Sequence, residues 1–313
     1  MVTSPLHFAD RLIEQAKRLD SRLIVGLDPD LAHFPVALHN AINPIMTENQ
    51  LEETIVEFNR IVIDATSDCA VAYKPQVAFY EQYGIAGMRA LQRTIEFLRS
   101  RDLIIILDAK RNDIAHTAEA YAQAWLSPFR TIPPSQNPCL VDAMTINGYL
   151  GKDGIKPFLE MNRDSGLFVL AKTSNPSSGD LQDLLLADGQ TVYAKMAHLA
   201  NQWGKTEIGK SGYSRVGLVV GATYPEATRQ LREIAPQALF LMPGVGVQAG
   251  SLKSIAIGSG TYKLGAYATA SRTILYHYKP EDINGDHWIE KLKENVSEQA
   301  NRLKIAIQQE LNL

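Results

Sequence analysis

Eight short apolar runs, separated by stretches with helical spacing, constrain the fold of this chain more than any other feature. They fall at residues 23–28, 69–76, 103–109, 139–148, 166–178, 215–226, 238–250 and 263–268, the longer ones including the polar loop that follows. The runs are continuously apolar rather than alternating, as expected of parallel strands covered by helices on their outer face. Helical patterns predict segments near 50–66, 87–100, 117–126, 151–162, 191–204, 225–235, 250–257 and 270–278. This order predicts a (β/α)8 TIM barrel, a single domain over 1–313, with an N-terminal helix at 6–20 and a long C-terminal helix at 285–311. An open, doubly wound sheet is the competing topology. Residues 29–50 hold Pro29, Pro35 and Pro44 and read as irregular, a short helix or a lid.

The apolar runs end in chemistry. In LIIILDAKRNDIAHT, residues 103–117, a buried strand runs into Asp108, Lys110, Arg111 and Asp113. In extended backbone Asp108 and Lys110 share a side. Burying such charges costs several kcal/mol per ion unless they are paired, so the cluster is either a site or a salt-bridged helix start. Other strand ends carry Asp28, Lys74, Thr145, Lys172 to Asn175 and Thr223. A barrel gathers all of these at one mouth. Lys172 is expected to snorkel to solvent rather than act directly. The glycines of PGVGVQAG, 243–250, allow backbone N–H groups to approach an anion, and Arg272 after the eighth strand offers a fork for phosphate oxygens; the same glycines could be simple turn residues. The segment is not a dinucleotide fingerprint.

Composition narrows the function classes. The 31 basic and 34 acidic residues give a net charge of -3, which does not suit a nucleic-acid surface, so no nucleic-acid partner is expected. Cys69 and Cys139 each open an apolar run and have no metal-site or disulfide spacing, which fits a reducing, cytoplasmic setting. No apolar run approaches the ~18 residues of a membrane span, and the mixed charges of the first helix do not resemble a signal peptide.

Six motifs are specific enough to carry a resemblance. GLDP (26–29), YKPQ (73–76), DAKRNDIAHT (108–117), LAKTSNPSS (170–178), VVGATYPE (219–226) and PGVGVQAG (243–250) resemble, in order and separation, the signature of the orotidine 5'-phosphate decarboxylases. The TSNPSS and VVGATYP forms and the chain length resemble the longer, type 2 branch. The resemblance implies a barrel that dimerises through its mouth face. It implies conversion of orotidine monophosphate to uridine monophosphate and carbon dioxide, in de novo pyrimidine synthesis, with no metal and no organic cofactor. By the same resemblance Asp28 and Lys74 contact ribose hydroxyls, and Asp108, Lys110 and Asp113 form the catalytic charge array. Asp113 and Thr117 match residues that reach the site from the other subunit. Ser174 matches the pyrimidine contact, and Gln248 and Arg272 match the phosphate grip. The interval from Gln248 to Arg272 is longer than in shorter relatives.

Loss of carbon dioxide from C6 leaves a carbanion with little resonance help, and fixed positive charge at that carbon lowers the barrier. Lys110 as ammonium supplies the charge and then the proton, and two carboxylates beside it favour that form. The rival readings are a sugar-phosphate aldolase or a β-keto-acid decarboxylase of the same barrel group, a Schiff-base aldolase using Lys110 or Lys172, and a sugar-phosphate-binding protein without turnover.

Overall fold

The computed structural model describes residues 7–40, 46–127, 139–245 and 251–312. Eight parallel strands form one sheet: β1 (Leu23–Leu27), β2 (Ala70–Pro75), β3 (Ile106–Arg111), β4 (Ala143–Ile146), β5 (Gly166–Lys172), β6 (Ser214–Val220), β7 (Ala238–Pro243) and β8 (Ala266–Ala270). Their order is β2-β1-β8-β7-β6-β5-β4-β3. Parallel bridges Tyr73 to Ile105 and Gln76 to Asp108 bring the two end strands together. Tyr73 N–H donates to Ile104 O at 2.8 Å, and Val77 N–H to Asp108 O at 3.2 Å. The sheet therefore curls into a nearly closed barrel with helices outside it, and the open doubly wound alternative is excluded.

Two apolar layers follow from this closure. The outer one lies between the strands and the surrounding helices, including Glu48–Thr66, Gly84–Ser100 and the C-terminal Trp288–Asn312. The inner one fills the barrel with Ile24, Ala72, Ile106, Phe168, Leu239 and Tyr267. Helix Phe8–Leu19 plugs the end of the barrel opposite the strand tips, burying Phe8, Leu12 and Ile13 against this inner layer. Phe8 meets Phe168 edge-on at 5.9 Å between ring centroids. A Cβ at Gly166 would lie 2.2 Å from the Phe8 ring, so the plug seats only because β5 begins with glycine.

Element ends depart from the sequence expectation for local reasons. The third strand begins at Ile106 rather than 103 and runs through Arg111. The eighth is Ala266–Ala270 rather than 263–268, because Lys263 adopts a left-handed φ of +54° in the turn closed by its N–H to Gly260 O. Residues 29–50 hold a 3-10 turn at Leu31–His33 and a short helix at Val36–Asn40. The helix expected from Gln50 starts at Glu48, where Thr47 and Gln50 exchange a capping box. The helix expected over 270–278 is the single turn Arg272–Leu275.

Candidate active site

The C-terminal tips of the strands surround a cavity of about 540 Å³. Asp28, Lys74, Asp108 and Lys110 form one wall. Thr173, Ser174, Asn175 and Gln182 come from the segment after β5, and Pro243 to Val245 and Ser271 to Thr273 from those after β7 and β8.

Asp108, 8% exposed, is the hub. Its Oδ2 accepts from Lys74 Nζ at 2.9 Å and from Gln76 Nε2 at 3.0 Å. Its Oδ1 accepts from Lys110 Nζ at 2.6 Å and from Thr145 Oγ1 at 2.9 Å. An ionised carboxylate has about four acceptor positions, and here four donors occupy them. Burial alone would push the Asp108 carboxyl up; the Lys74 and Lys110 ammonium groups outweigh it and hold the group well below the usual carboxylate range. Burial alone would likewise lower Lys74, but Asp108 and Asp28 outweigh that and raise it above ordinary lysine. Asp28 Oδ1 lies 3.9 Å from Lys74 Nζ, is buried, and accepts no hydrogen bond from the protein. Asp28 lines the cavity, and its Oδ1 is a buried acceptor with capacity to spare.

Lys110 does not reach Asp108 by the plain alternation of an extended strand. Its φ is +48°, in the left-handed region, where a residue with a side chain carries about 1–3 kcal/mol of strain. Thr145 Oγ1, at the tip of β4, accepts the N–H groups of both Ala109 and Lys110 at 3.0 Å while donating to Asp108. One hydroxyl thus fixes the bend and the carboxylate together. The Lys110 side chain is 45% exposed and opens on the cavity. Valine in place of Thr145 keeps the shape and removes all three bonds. It is expected to lower kcat by about 10²-fold with KM within about threefold, whereas serine stays near wild type; steady-state kinetics of the pair checks this.

The structure brings together Asp28, Lys74, Asp108, Lys110, Ser174 and Arg272. Asp113 and Thr117 lie outside the cavity of their own chain: Asp113 Oδ1 accepts the Ile114 N–H at 2.8 Å, and Thr117 is exposed. Among the described residues Lys110 pairs with Asp108 and not with Asp113. Gln248 lies outside the described residues. Sequence reasoning did not single out Gln76 and Gln182, and it placed Thr145 only as a strand end. Gln76 was accessible, since it stands two residues from Lys74 on the same strand tip. Lys172 does not snorkel; it is 2% exposed and pairs with Asp183 at 2.6 Å.

The family described as "Orotidine 5'-phosphate decarboxylase / HUMPS family" matches residues 21–282. The curated orotidine 5'-phosphate decarboxylase of Caldicellulosiruptor bescii is 41% identical over 278 residues, covering 88% of this chain and 91% of its own. That of Roseiflexus castenholzii is 42% identical over 276 residues, covering 87% and 89%. Among solved structures, Leishmania donovani OMP decarboxylase superposes with a TM-score of 0.73 at 32% identity, over 98% of this chain and all of the other.

Proposed function

The chain belongs to the longer branch of the orotidine 5'-phosphate decarboxylase family, and from that premise we propose that its barrel mouth decarboxylates orotidine monophosphate to uridine monophosphate, with Lys110 as the proton donor. The observation that carries this reading is the saturated Asp108 carboxylate, which fixes two ammonium groups at the cavity wall. Asp28 and Lys74 serve the ribose hydroxyls, Ser174 the pyrimidine, and Arg272 the phosphate, a role that the resemblance also gives to Gln248. The carboxyl group at C6 is held beside Asp108 and Lys110. As carbon dioxide departs, negative charge grows on C6 next to the Lys110 ammonium, which needs no reorganisation to stabilise it. The Lys110 proton then moves to C6, leaving a neutral pyrimidine ring beside a neutral Lys110 amine, while the phosphate keeps its charge. Among the described residues no group of three or more His, Cys, Asp or Glu is arranged as a metal site. The filled acceptor positions of Asp108 favour this electrostatic route over a metal-held enediolate. Lys110 Nζ is tied to Asp108 Oδ1 at 2.6 Å, which does not suit the free nucleophile that a Schiff base needs.

Phosphate lies far from C6, so its binding energy serves closure and orientation. Alanine at Arg272 is therefore expected to raise KM for orotidine monophosphate by about tenfold or more while kcat at saturation falls less; unchanged kinetics would put the phosphate elsewhere. Asp113 and Thr117, on the mouth face but outside their own cavity, fit a homodimer in which each supplies the neighbouring site. Exposed Ile114, Tyr149 and Leu150 on the same face give such a contact apolar surface. Mixing the inactive Lys110→Ala and Asp113→Ala proteins, with subunit exchange, is expected to restore about a quarter of wild-type activity, because half of randomly paired dimers regain one intact site. No recovery in a mixture shown to exchange subunits would contradict site sharing. Among the described residues no helix is long and apolar enough to cross a membrane; a cytoplasmic location is our proposal, in line with a sequence whose two cysteines lack disulfide-scaffold spacing.

A further inference from the structure

Lys172 is a buried cation outside the charge array. It ends β5, where the pairing with β6 slips: Leu170 stands opposite Val219 and Lys172 opposite Val220, leaving Ala171 as an extra residue. A bulge of this kind re-aims the side chain that follows it. Leu170 still lines the cavity, but Lys172 does not. Its Nζ donates to Asp183 Oδ1 at 2.6 Å and to Ser178 Oγ at 3.2 Å, and lies 4.5 Å from the centre of the Tyr224 ring. One residue inward, Thr173 and Gln182 close a second clasp. Thr173 N–H donates to Gln182 Oε1 at 2.9 Å, and Gln182 Nε2 donates to Thr173 Oγ1 at 2.8 Å. The segment between the clasps begins with Ser174, whose backbone rests on Gly221 so closely that a Cβ there would lie 2.8 Å from Ser174 N. Both ends of this loop are thus tied before any ligand arrives, and Thr173, Ser174, Asn175 and Gln182 are the residues it presents to the cavity.

We propose that Lys172 is a positioning residue: through Asp183 and Ser178 it holds the 173–182 loop so that Ser174 and Gln182 meet the pyrimidine. The pair therefore governs affinity for the base and leaves the grip on ribose phosphate untouched. The proposal rests on the functional reading above, and the test separates the two. Inhibition of orotidine monophosphate turnover by uridine monophosphate and by ribose 5-phosphate is measured for wild type, Lys172→Met and Asp183→Asn. Each variant is expected to bind uridine monophosphate about tenfold more weakly, the scale of one lost contact, and ribose 5-phosphate within about twofold of wild type. Asp183 is half exposed, so its asparagine variant keeps the test open should the methionine variant fail to fold. Equal weakening of both ligands would mark general damage, and unchanged affinity for both would mark a loop indifferent to the pair; either overturns the proposal. A wild-type protein without turnover would overturn the functional reading itself, and this inference with it.

Discussion

Replacing Lys110 with alanine is expected to lower kcat by about 10⁴-fold or more, while affinity for uridine monophosphate changes by less than about tenfold. Two separate contributions disappear with one side chain. The first is the fixed charge at the carbon that becomes a carbanion, and loss of a single preorganised donor of this kind costs about 10²–10³-fold. The second is the proton that completes the product, where a positioned acid contributes about 10²–10⁴-fold. Binding suffers little because the other wall groups stay: Lys74 remains on Asp108 at 2.9 Å, and Arg272 is on another strand end. Removing a cation beside a buried carboxylate also leaves Asp108 three of its four donors. Activity of the alanine variant within about tenfold of wild type, about 1.4 kcal/mol, would refute the role assigned to Lys110.

Asparagine at Asp108 is expected to damage both stability and turnover. The site offers four donors, and an asparagine can accept through one oxygen only while its amide adds a fifth donor facing them. Lys74, 6% exposed, loses its close partner and keeps only Asp28 at 3.9 Å. Breaking a buried pair from one side costs about 3 kcal/mol, and a displaced Lys110 lowers kcat by about 10²-fold or more. Denaturant melts and kinetics read the two effects separately. The pH dependence carries a sign. Asp108 is depressed in the folded protein, so its contribution is complete above the ordinary carboxylate range and is lost progressively as pH falls from that range through the lower folded value. The stability gap between wild type and Asp108→Asn is therefore expected to persist from pH 7 to about pH 5 and to close in stronger acid. A gap that opened with falling pH would contradict the assigned ionisation.

Much of this molecule is legible along the chain because the barrel imposes one rule: an apolar run, then a polar tip, at one end. That rule places Asp28, Lys74, Asp108 and Lys110 together without any knowledge of distances. It does not extend to backbone that leaves the rule. The left-handed turn at Lys110 and the bulge before Lys172 each redirect a cation, and neither leaves a mark in hydrophobic period. The length and charge of Lys172 predict snorkelling; the slip in pairing buries it instead under Tyr224 and Asp183. Thr145 is a hub only once β3 and β4 are side by side, since its partners stand 35 to 37 residues away. The helix start at Thr47 is the opposite case, a local T-x-x-Q pattern that the apolar stripe overshadowed. In the proposed homodimer Asp113 and Thr117 mark another limit, because a residue that serves a neighbouring subunit has no site in its own chain to reveal it.

The most direct measurement follows the absorbance of orotidine monophosphate with purified protein in excess chelator. The account predicts full conversion to uridine monophosphate at a rate that chelator does not alter, and its collapse in the Lys110→Ala protein. Absorbance that holds steady with the wild-type chain, or a rate that vanishes with chelator and returns with a divalent metal, would contradict it.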